Sequence, residues 1–226
     1  MGKANGIYKR SDNRWEARYK KGVSPEGKTL YGAVYGATRE EAEEKRRKLI
    51  GEPQETKKVP TELNLIILGA GSHGRDVYEL ASSLRIFRKI SFLDDKLEGE
   101  NIIGKCKDAL SYKNEYPCAF VAIGDNKIRK KWAKFLKERN FLIPSLVSPA
   151  AVVSSNAKIG EGVIVLPQSN IGAAEIGDFC IISANSTINS KAILEAYCHV
   201  GSGGIVLKNA HVPEGSMIDS GEIFGK

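Results

Sequence analysis

An aliphatic residue returns at every sixth position through the second half of the chain: Val147, Val153, Ile159, Val165 and Ile171, then Ile176, Ile182, Ile188, Leu194, Val200, Val206, Val212 and Ile218. Neither a helix nor an ordinary strand repeats at six. A fixed hexapeptide period predicts a parallel β-helix, in which each repeat makes one short strand and one turn, and three repeats close a triangular coil. Residues 147 to 218 divide into about four such coils. The spacing slips once, to five, between Ile171 and Ile176. Small and polar residues fill the turns, as in Gly160-Glu161-Gly162 and Gly177-Asp178, where glycine is expected to supply the positive φ of a tight corner.

Other periods govern the first half. Trp15, Ala17 and Tyr19 alternate with Glu16, Arg18 and Lys20, a period of two that predicts a half-buried strand. Residues 6 to 9 and Thr29 to Tyr35 read as two more strands, the latter after a turn at Ser24-Pro25-Glu26-Gly27. Thr38 and Glu41 make a capping box, which predicts a helix through about Leu49, stopped by Gly51-Glu52-Pro53. Residues 52 to 62, EPQETKKVPTE, have almost nothing to bury and read as a linker. The expected organisation is a small basic α+β domain (1–51), a half-Rossmann α/β domain (63–146) and a C-terminal β-helix (147–226).

The α/β domain carries the candidate chemistry. Leu63 to Leu68 feeds directly into Gly69-Ala70-Gly71-Ser72-His73-Gly74, and Val77, Leu80, Ala81 and Leu84 then recur at helical spacing. In such a strand, loop and helix the missing side chains let backbone amides approach a phosphate, which the helix N-terminus stabilises. A second strand, Lys89 to Leu93, ends in Asp94-Asp95, where a carboxylate can accept from a ribose or sugar hydroxyl. A third, Cys118 to Ile123, is followed by Gly124-Asp125-Asn126 and a basic helix to about Glu138. About four strands make half a dinucleotide fold, so a mononucleotide-sized ligand fits better, and the dinucleotide reading stays open. His73 either donates to phosphate or sugar or fills its place in the loop. Arg75 either neutralises phosphate or is a surface residue. Lys127, Arg129, Lys130 and Lys131 read as a solvated helix face.

Composition adds three constraints. With 226 residues and 42% hydrophobic content the chain can bury a core. No apolar run spans a membrane and the start, MGKANGIYKR, lacks a signal-peptide core, so a cytoplasmic protein with no membrane partner is expected. Cys106, Cys118, Cys180 and Cys198 match neither a zinc signature nor a dense disulfide framework; free, mostly buried thiols are expected and no metal. The net charge of +7 is concentrated at one end, since residues 1 to 60 hold 15 Lys and Arg against 9 Asp and Glu. Such asymmetry points to an electrostatic partner, nucleic acid being the commonest.

"IPSLVSPAAVVSSNAKIGEGVIV", "LGAGSHGRDV", "FLDD" and "AIGDNKIRKKW" together resemble the sialic acid O-acetyltransferase and bacillosamine N-acetyltransferase group of nucleotide-sugar acetyltransferases, over everything after residue 62. The resemblance implies a left-handed β-helix that forms a homotrimer. It also implies acetyl-CoA lying between neighbouring β-helices, and a nucleotide sugar, UDP-linked by likeness, held by Gly69, Gly71, Ser72, His73, Gly74, Arg75, Asp94, Asp95, Gly124, Asp125 and Asn126. One position departs from it. Counting back from His199, which matches the group's second histidine, Ser190 stands where the group has its general base, and Asn189 and Lys191 replace the acidic flanks. A positioned base contributes about 10² to 10⁴ in rate, which serine near neutral pH cannot supply. His199 is left as base, thioester contact or corner residue; His211 reads as structural. The group's G-x-P-A-K tail is also not found, so weakened coenzyme contact is expected.

The first 45 residues or so resemble the arm-type DNA-binding domain of phage and transposon integrases, through "IYKR", "RWEARY" and "ATREEAEEK". This resemblance implies that Lys9, Arg10, Arg14, Arg18 and Lys20 meet duplex DNA; a solvated charged face is the alternative. Two functions are therefore expected: an acetyltransferase with impaired catalysis, or an inactive nucleotide-sugar sensor that docks on DNA or a protein partner.

Overall fold

A computed structural model describes residues 6–23, 29–50 and 63–225, and divides the chain into two compact units at Val59/Pro60. The turn at 24–27 and the linker at 52–62 lie outside the described residues.

In the first unit β1 (Ile7–Lys9), β2 (Trp15–Val23) and β3 (Thr29–Gly36) form an antiparallel sheet in that order, followed by α1 (Arg39–Ile50). The period of two is realised: Ile7, Ala17 and Val34 align on one face, Tyr8, Glu16 and Tyr35 on the other. A Cβ on Gly36, across from Trp15, would strike the Ala42 amide at 2.5 Å, so α1 lies on the Trp15 face. Thr38 Oγ1 accepts from Glu41 N (3.2 Å) as a cap should, while the Glu41 carboxylate reaches one residue further back, to Ala37 N (2.7 Å). Glu16 departs from the alternation expected of a charged face: it is 3% exposed.

The second unit opens with a parallel four-stranded sheet. Its strands are β4 (Asn64–Leu68), β5 (Lys89–Leu93), β6 (Ile102–Gly104) and β7 (Cys118–Val121), in the order β6-β5-β4-β7. The helices are α2 (Ser72–Ser83), α3 (Ala109–Tyr112) and α4 (Asn126–Glu138). β4 is the switch point, where the chain turns first to one side and then to the other. Two-residue strands from β8 (Leu146–Val147) to β21 (Ile223–Phe224) then stack into three parallel sheets, the walls of a triangular β-helix. The second residue of each pair points inward, and Ile171, Ile176, Ile182, Ile188, Leu194, Val200, Val206, Val212 and Ile218 are all at most 3% exposed.

The sheet containing Leu146, Ile164, Ile181, His199 and Met217 differs from the other two walls in its outward residues. Leu146, Ile164 and Ile181 are apolar and buried, packed with Val77, Leu80 and Ala81 of α2. The α/β part and the β-helix thus share one core, and α2 is the layer between them. All four cysteines are free and buried. Among the described residues no helix is long and apolar enough to cross a membrane.

The corners correct one expectation. Gly162 has φ +68°, but Gly160 and Gly177 do not need positive φ. They are glycine because the next coil is too close: a Cβ would meet Asp178 N at 2.8 Å and Ala196 N at 2.6 Å respectively. Gln168, Phe179, Asn185, Lys191, Tyr197 and Asn209 take up positive φ at corners without glycine. The five-residue slip is a shortened corner, Gly172-Ala173-Ala174, beneath Asn189-Ser190-Lys191 of the next coil.

Candidate functional site

The loops after β4 and β7 lie side by side at the switch point, and their glycines fall into two kinds. Gly69 has φ +104°, and a Cβ there would meet Ala122 O at 2.7 Å; a Cβ on Gly74 would meet Gly69 O at 2.1 Å. Those two let strand, loop and helix press together. Gly71 and Gly124 have no such reason, because among the described residues a Cβ on either meets nothing within 4 Å and neither has a positive φ. They leave open space beside the loops. Gly71 is also the N-cap of α2 and offers no side-chain cap, so the first-turn amides that no helix satisfies internally are left to an outside acceptor.

The carboxylates expected at a ribose also brace the loops. Asp94 accepts from the amides of Ala70, Lys96 and Leu97, each at 2.8 Å. Burial pushes its carboxyl up, but those amides and Lys105 outweigh it and the net shift is downward. Asp95 accepts from Cys106 N (3.0 Å), and Asp125 caps α4 through Ile128 N (2.8 Å). Asn126 is spent at both ends: Nδ2 donates to Gly215 O (2.7 Å) and Oδ1 accepts from Arg129 Nη2 (2.7 Å). Ser72 and Arg75 are exposed on the first turn of α2, next to the open side. A cleft of about 390 Å³ lies between Gly124–Lys127 and the β-helix at Gly215 and Met217. A larger one, about 490 Å³, runs between Asp76, Glu79 and Ser83 of α2 and the corners at Ser148, Pro167 and Ser202.

Arg129 corrects the reading of a solvated helix face. It is 1% exposed and shares the inner side of α4 with Ala133 and Leu136, at i+4 and i+7. Its guanidinium donates to Phe179 O (2.9 Å), Ile123 O (3.0 Å), Gly124 O (2.8 Å) and Tyr197 O (2.7 Å) as well as to Asn126, and burial lowers its pKa to about 10. It stays charged and ties the Gly124 loop to the β-helix. Arg129→Leu would leave these buried acceptors unpaired, and should cost about 3 kcal/mol. In differential scanning calorimetry that is a fall of roughly 6 to 12 °C in the midpoint of the second unit.

His73 and His199 face each other across the same junction, ring centroids 6.5 Å apart. His199 Nε2 lies 3.3 Å from Ser183 Oγ, whereas His199 Nδ1 and His73 Nε2 are buried with no hydrogen-bond partner among the described residues. Burial, then the facing His199, then Arg129 push the His73 pKa down to about 4; burial and then Arg129 push that of His199 down. Both imidazoles are neutral near pH 7. His211, by contrast, is on the surface and pairs with Glu195 (2.8 Å).

Ser190 is not part of this junction within one chain. It is exposed at the corner between the wall of Thr187 and the wall of Ile193, whereas His199 lies on the third wall. Its Oγ accepts from Ala173 N of the shortened corner (3.3 Å), and Asn189 Nδ2 donates to Val206 O (2.9 Å). Lys191 and, one coil on, Lys208 are exposed at the same corner, with no carboxylate partner among the described residues.

In the first unit, Glu16 accepts from Tyr8 Oη (3.0 Å), Arg10 Nη1 (2.7 Å) and Arg18 Nε (2.6 Å). Arg14 pairs with Asp12 (2.8 Å). Arg10 and Arg14 stack over Tyr35, and Arg18 over Tyr8. Lys9 is exposed but pairs across with Trp15, on the α1 side of the sheet, apart from the Arg–Tyr face. The Lys20 side chain lies outside the described residues.

Residues 64–136 match the family model of the PglD N-terminal domain. The chain is 33% identical over 110 residues to UDP-N-acetylbacillosamine N-acetyltransferase of Bacillus subtilis, covering 46% of this chain and about half (51%) of that relative. It is 25% identical over 171 residues to GDP-perosamine N-acetyltransferase of Escherichia coli O157:H7, covering 62% of this chain and 76% of the relative. Among solved structures it resembles the acetyltransferase domain of PglB from Neisseria gonorrhoeae in complex with acetyl coenzyme A, with 31% identity, a TM-score of 0.69 and coverage of 72% of this chain and 82% of that one. It also resembles a histidine variant of perosamine N-acetyltransferase from Caulobacter crescentus in complex with CoA and GDP-perosamine, with 26% identity, a TM-score of 0.66 and coverage of 69% and 77%. With glycine loops at a switch point, a hexapeptide β-helix behind them and these likenesses, the chain belongs, from residue 63 onward, to the family of nucleotide-sugar acetyltransferases.

Proposed function

We propose that this chain binds a nucleotide-linked sugar at the loops of Gly69–Gly74 and Gly124–Asn126 and transfers to it an acetyl group from acetyl-CoA, as a homotrimer with impaired catalysis. The observation that carries the reading is the pair of open glycines, Gly71 and Gly124, beside the uncapped N-terminus of α2. A diphosphate is the group that needs bare backbone and free amides together. The larger cleft along α2 then has room for the sugar. Lys191 and Lys208 suit the phosphates of the coenzyme, which supplies the activated acetyl thioester. Ser190, hydrogen-bonded to a backbone amide, orients nothing and removes no proton, so turnover rests on proximity. Trimer formation is supported by one of the two walls that α2 leaves uncovered, where Val152 is 67% and Ile223 38% exposed. A cytoplasmic location fits substrates of this class.

Isothermal titration of the purified protein with UDP- and GDP-linked amino sugars and with acetyl-CoA tests the reading. A Cβ at Gly71 or Gly124 meets nothing within 4 Å among the described residues, so Gly71→Val and Gly124→Val place their branched side chains toward open space. Each should lower nucleotide-sugar affinity by roughly tenfold or more, the worth of a charge-assisted hydrogen bond to phosphate. Full affinity in both folded variants would remove the site.

The alternative, an inactive nucleotide-sugar sensor that docks on duplex DNA, is favoured by two observations: serine at the base position, and a sheet face in the first unit on which Arg10, Arg14 and Arg18 lie among Tyr8 and Tyr35. Retention of DNA together with absent acetyl transfer would select it.

A further inference from the structure

A carboxylate on a surface meant for DNA is ordinarily a defect, since it repels phosphate and weakens binding. Glu16 stands in the middle of the Arg–Tyr face, opposite Tyr8 on one side and Tyr35 on the other, yet it is 3% exposed. Three donors surround it, and Arg18 and then Arg10 hold its carboxyl below the usual range against the effect of burial. Its charge is therefore neutralised inside the sheet face while the two arginine side chains remain 41% exposed. The bonds are selective. Glu16 takes Nη1 of Arg10 and Nε of Arg18, and leaves Nη2 of Arg10 and both terminal nitrogens of Arg18 without a partner among the described residues.

We propose that Glu16 is a positioning residue: buried in the sheet, it holds Arg10 and Arg18 in fixed rotamers, so that their remaining N–H groups meet two phosphates of one DNA duplex. The inference rests on the reading of this face as DNA-binding. Three strands about 4.8 Å apart span roughly 10 Å, which fits a major groove about 12 Å wide. Tyr8 and Tyr35 clamp the guanidinium planes from the other side, and α1, on the opposite face, leaves the approach clear. A long arginine side chain otherwise loses about 2 kcal/mol of rotamer freedom when it is ordered on a phosphate, and here that ordering precedes binding.

The test inverts the sign expected from charge alone. Glu16→Gln raises the net charge from +7 to +8, so plain electrostatics predicts tighter binding. Positioning predicts the reverse. Fluorescence anisotropy of the full-length protein on a labelled 20-base-pair duplex, between about 50 and 200 mM KCl, should show at least fivefold weaker binding for Glu16→Gln. The slope of log K against log[salt] should be shallower by about one to two units, at about 0.9 for each phosphate that the arginines no longer reach. Glu16→Asp, which keeps the charge and withdraws it by one methylene, should weaken binding too, and it covers the case in which Glu16→Gln does not fold. Thermal midpoints of the first unit read the fold separately. Equal or tighter binding by folded Glu16→Gln, or an unchanged salt slope in both variants, overturns the role of Glu16. Wild-type protein that is not retained on duplex at about 50 mM salt, or that poly-glutamate displaces as readily as duplex does, overturns the DNA reading beneath it.

Discussion

Ser190→His is expected to raise acetyl transfer to a nucleotide-linked amino sugar by about 10² to 10⁴, the contribution of a positioned general base, or roughly 3 to 5 kcal/mol of barrier. Ser190 is exposed at its corner and only its Oγ is engaged, by Ala173 N, so an imidazole has room and gives up one weak bond. The single variant is cleaner than the double variant with Asn189→Glu. Asn189 donates its amide to Val206 O (2.9 Å), a bond that a glutamate cannot make, so the double variant loses corner stability while gaining a carboxylate to orient the new base. The wild type should turn over well below about 1 s⁻¹, an ordinary enzyme rate. A coenzyme-release assay at saturating substrates measures both. A wild type as fast as the histidine variant would show that the proton leaves by another route, with His73 and His199 the nearest neutral imidazoles to the glycine loops. No gain in a variant that still binds both substrates would place the defect in the shortened corner Gly172-Ala173-Ala174, which sits directly beneath position 190.

That corner is visible in the sequence as a spacing of five among sixes, and so is the β-helix itself, because one inward aliphatic per repeat is all the fold requires of its core. The outward residues carry a second signal that the period alone does not expose. Grouped by wall, one set reads Lys158, Glu175, Ile193, His211, another Val152, Asn170, Thr187, Ile205, Ile223, and the third Leu146, Ile164, Ile181, His199, Met217. Only the third begins with three large apolar residues in succession, and that wall is covered by α2. The glycine loops are legible in the sequence, but the backbone bonds that their polar residues make are not. Gly71 and Gly69 look alike in a sequence, and only the position of Ala122 O separates a glycine needed for packing from one kept open. Asp94 and Asn126 look like ligand contacts because their side chains can serve either a ligand or a neighbouring amide; the loops consume them. Arg129 looks solvated because a basic helix face is normally wet. Its burial depends on six carbonyl and amide oxygens from segments as distant as residues 179 and 197, a convergence that no local pattern records.

Lowering the pH should loosen the second unit before its carboxylates begin to protonate. His73 has a pKa near 4 in the folded chain and 6.5 when unfolded. Above pH 6.5 the imidazole is neutral in both states and its full contribution to stability is present. Between 6.5 and about 4 the unfolded chain takes up a proton that the folded chain refuses, so stability falls with decreasing pH, by as much as about 3 kcal/mol in total. His199 is shifted in the same direction, by burial and then Arg129, and it is among the groups that oppose protonation of His73. Urea unfolding of the second unit at about pH 7.5, 6, 5 and 4.5 measures the slope. Replacing both histidines with glutamine removes the groups while keeping polar side chains, and the difference between the two proteins isolates the pair from carboxylates that titrate elsewhere. The wild type should lose stability relative to the variant as pH falls below 6.5. Parallel curves would mean that both rings charge freely, and that the junction between glycine loop and β-helix is open to water. A diphosphate seated over Gly71 and Gly124 would oppose the effect, since an anion near the rings raises their pKa. The acid-sensitive step should therefore move to lower pH when nucleotide sugar is bound, in proportion to its occupancy.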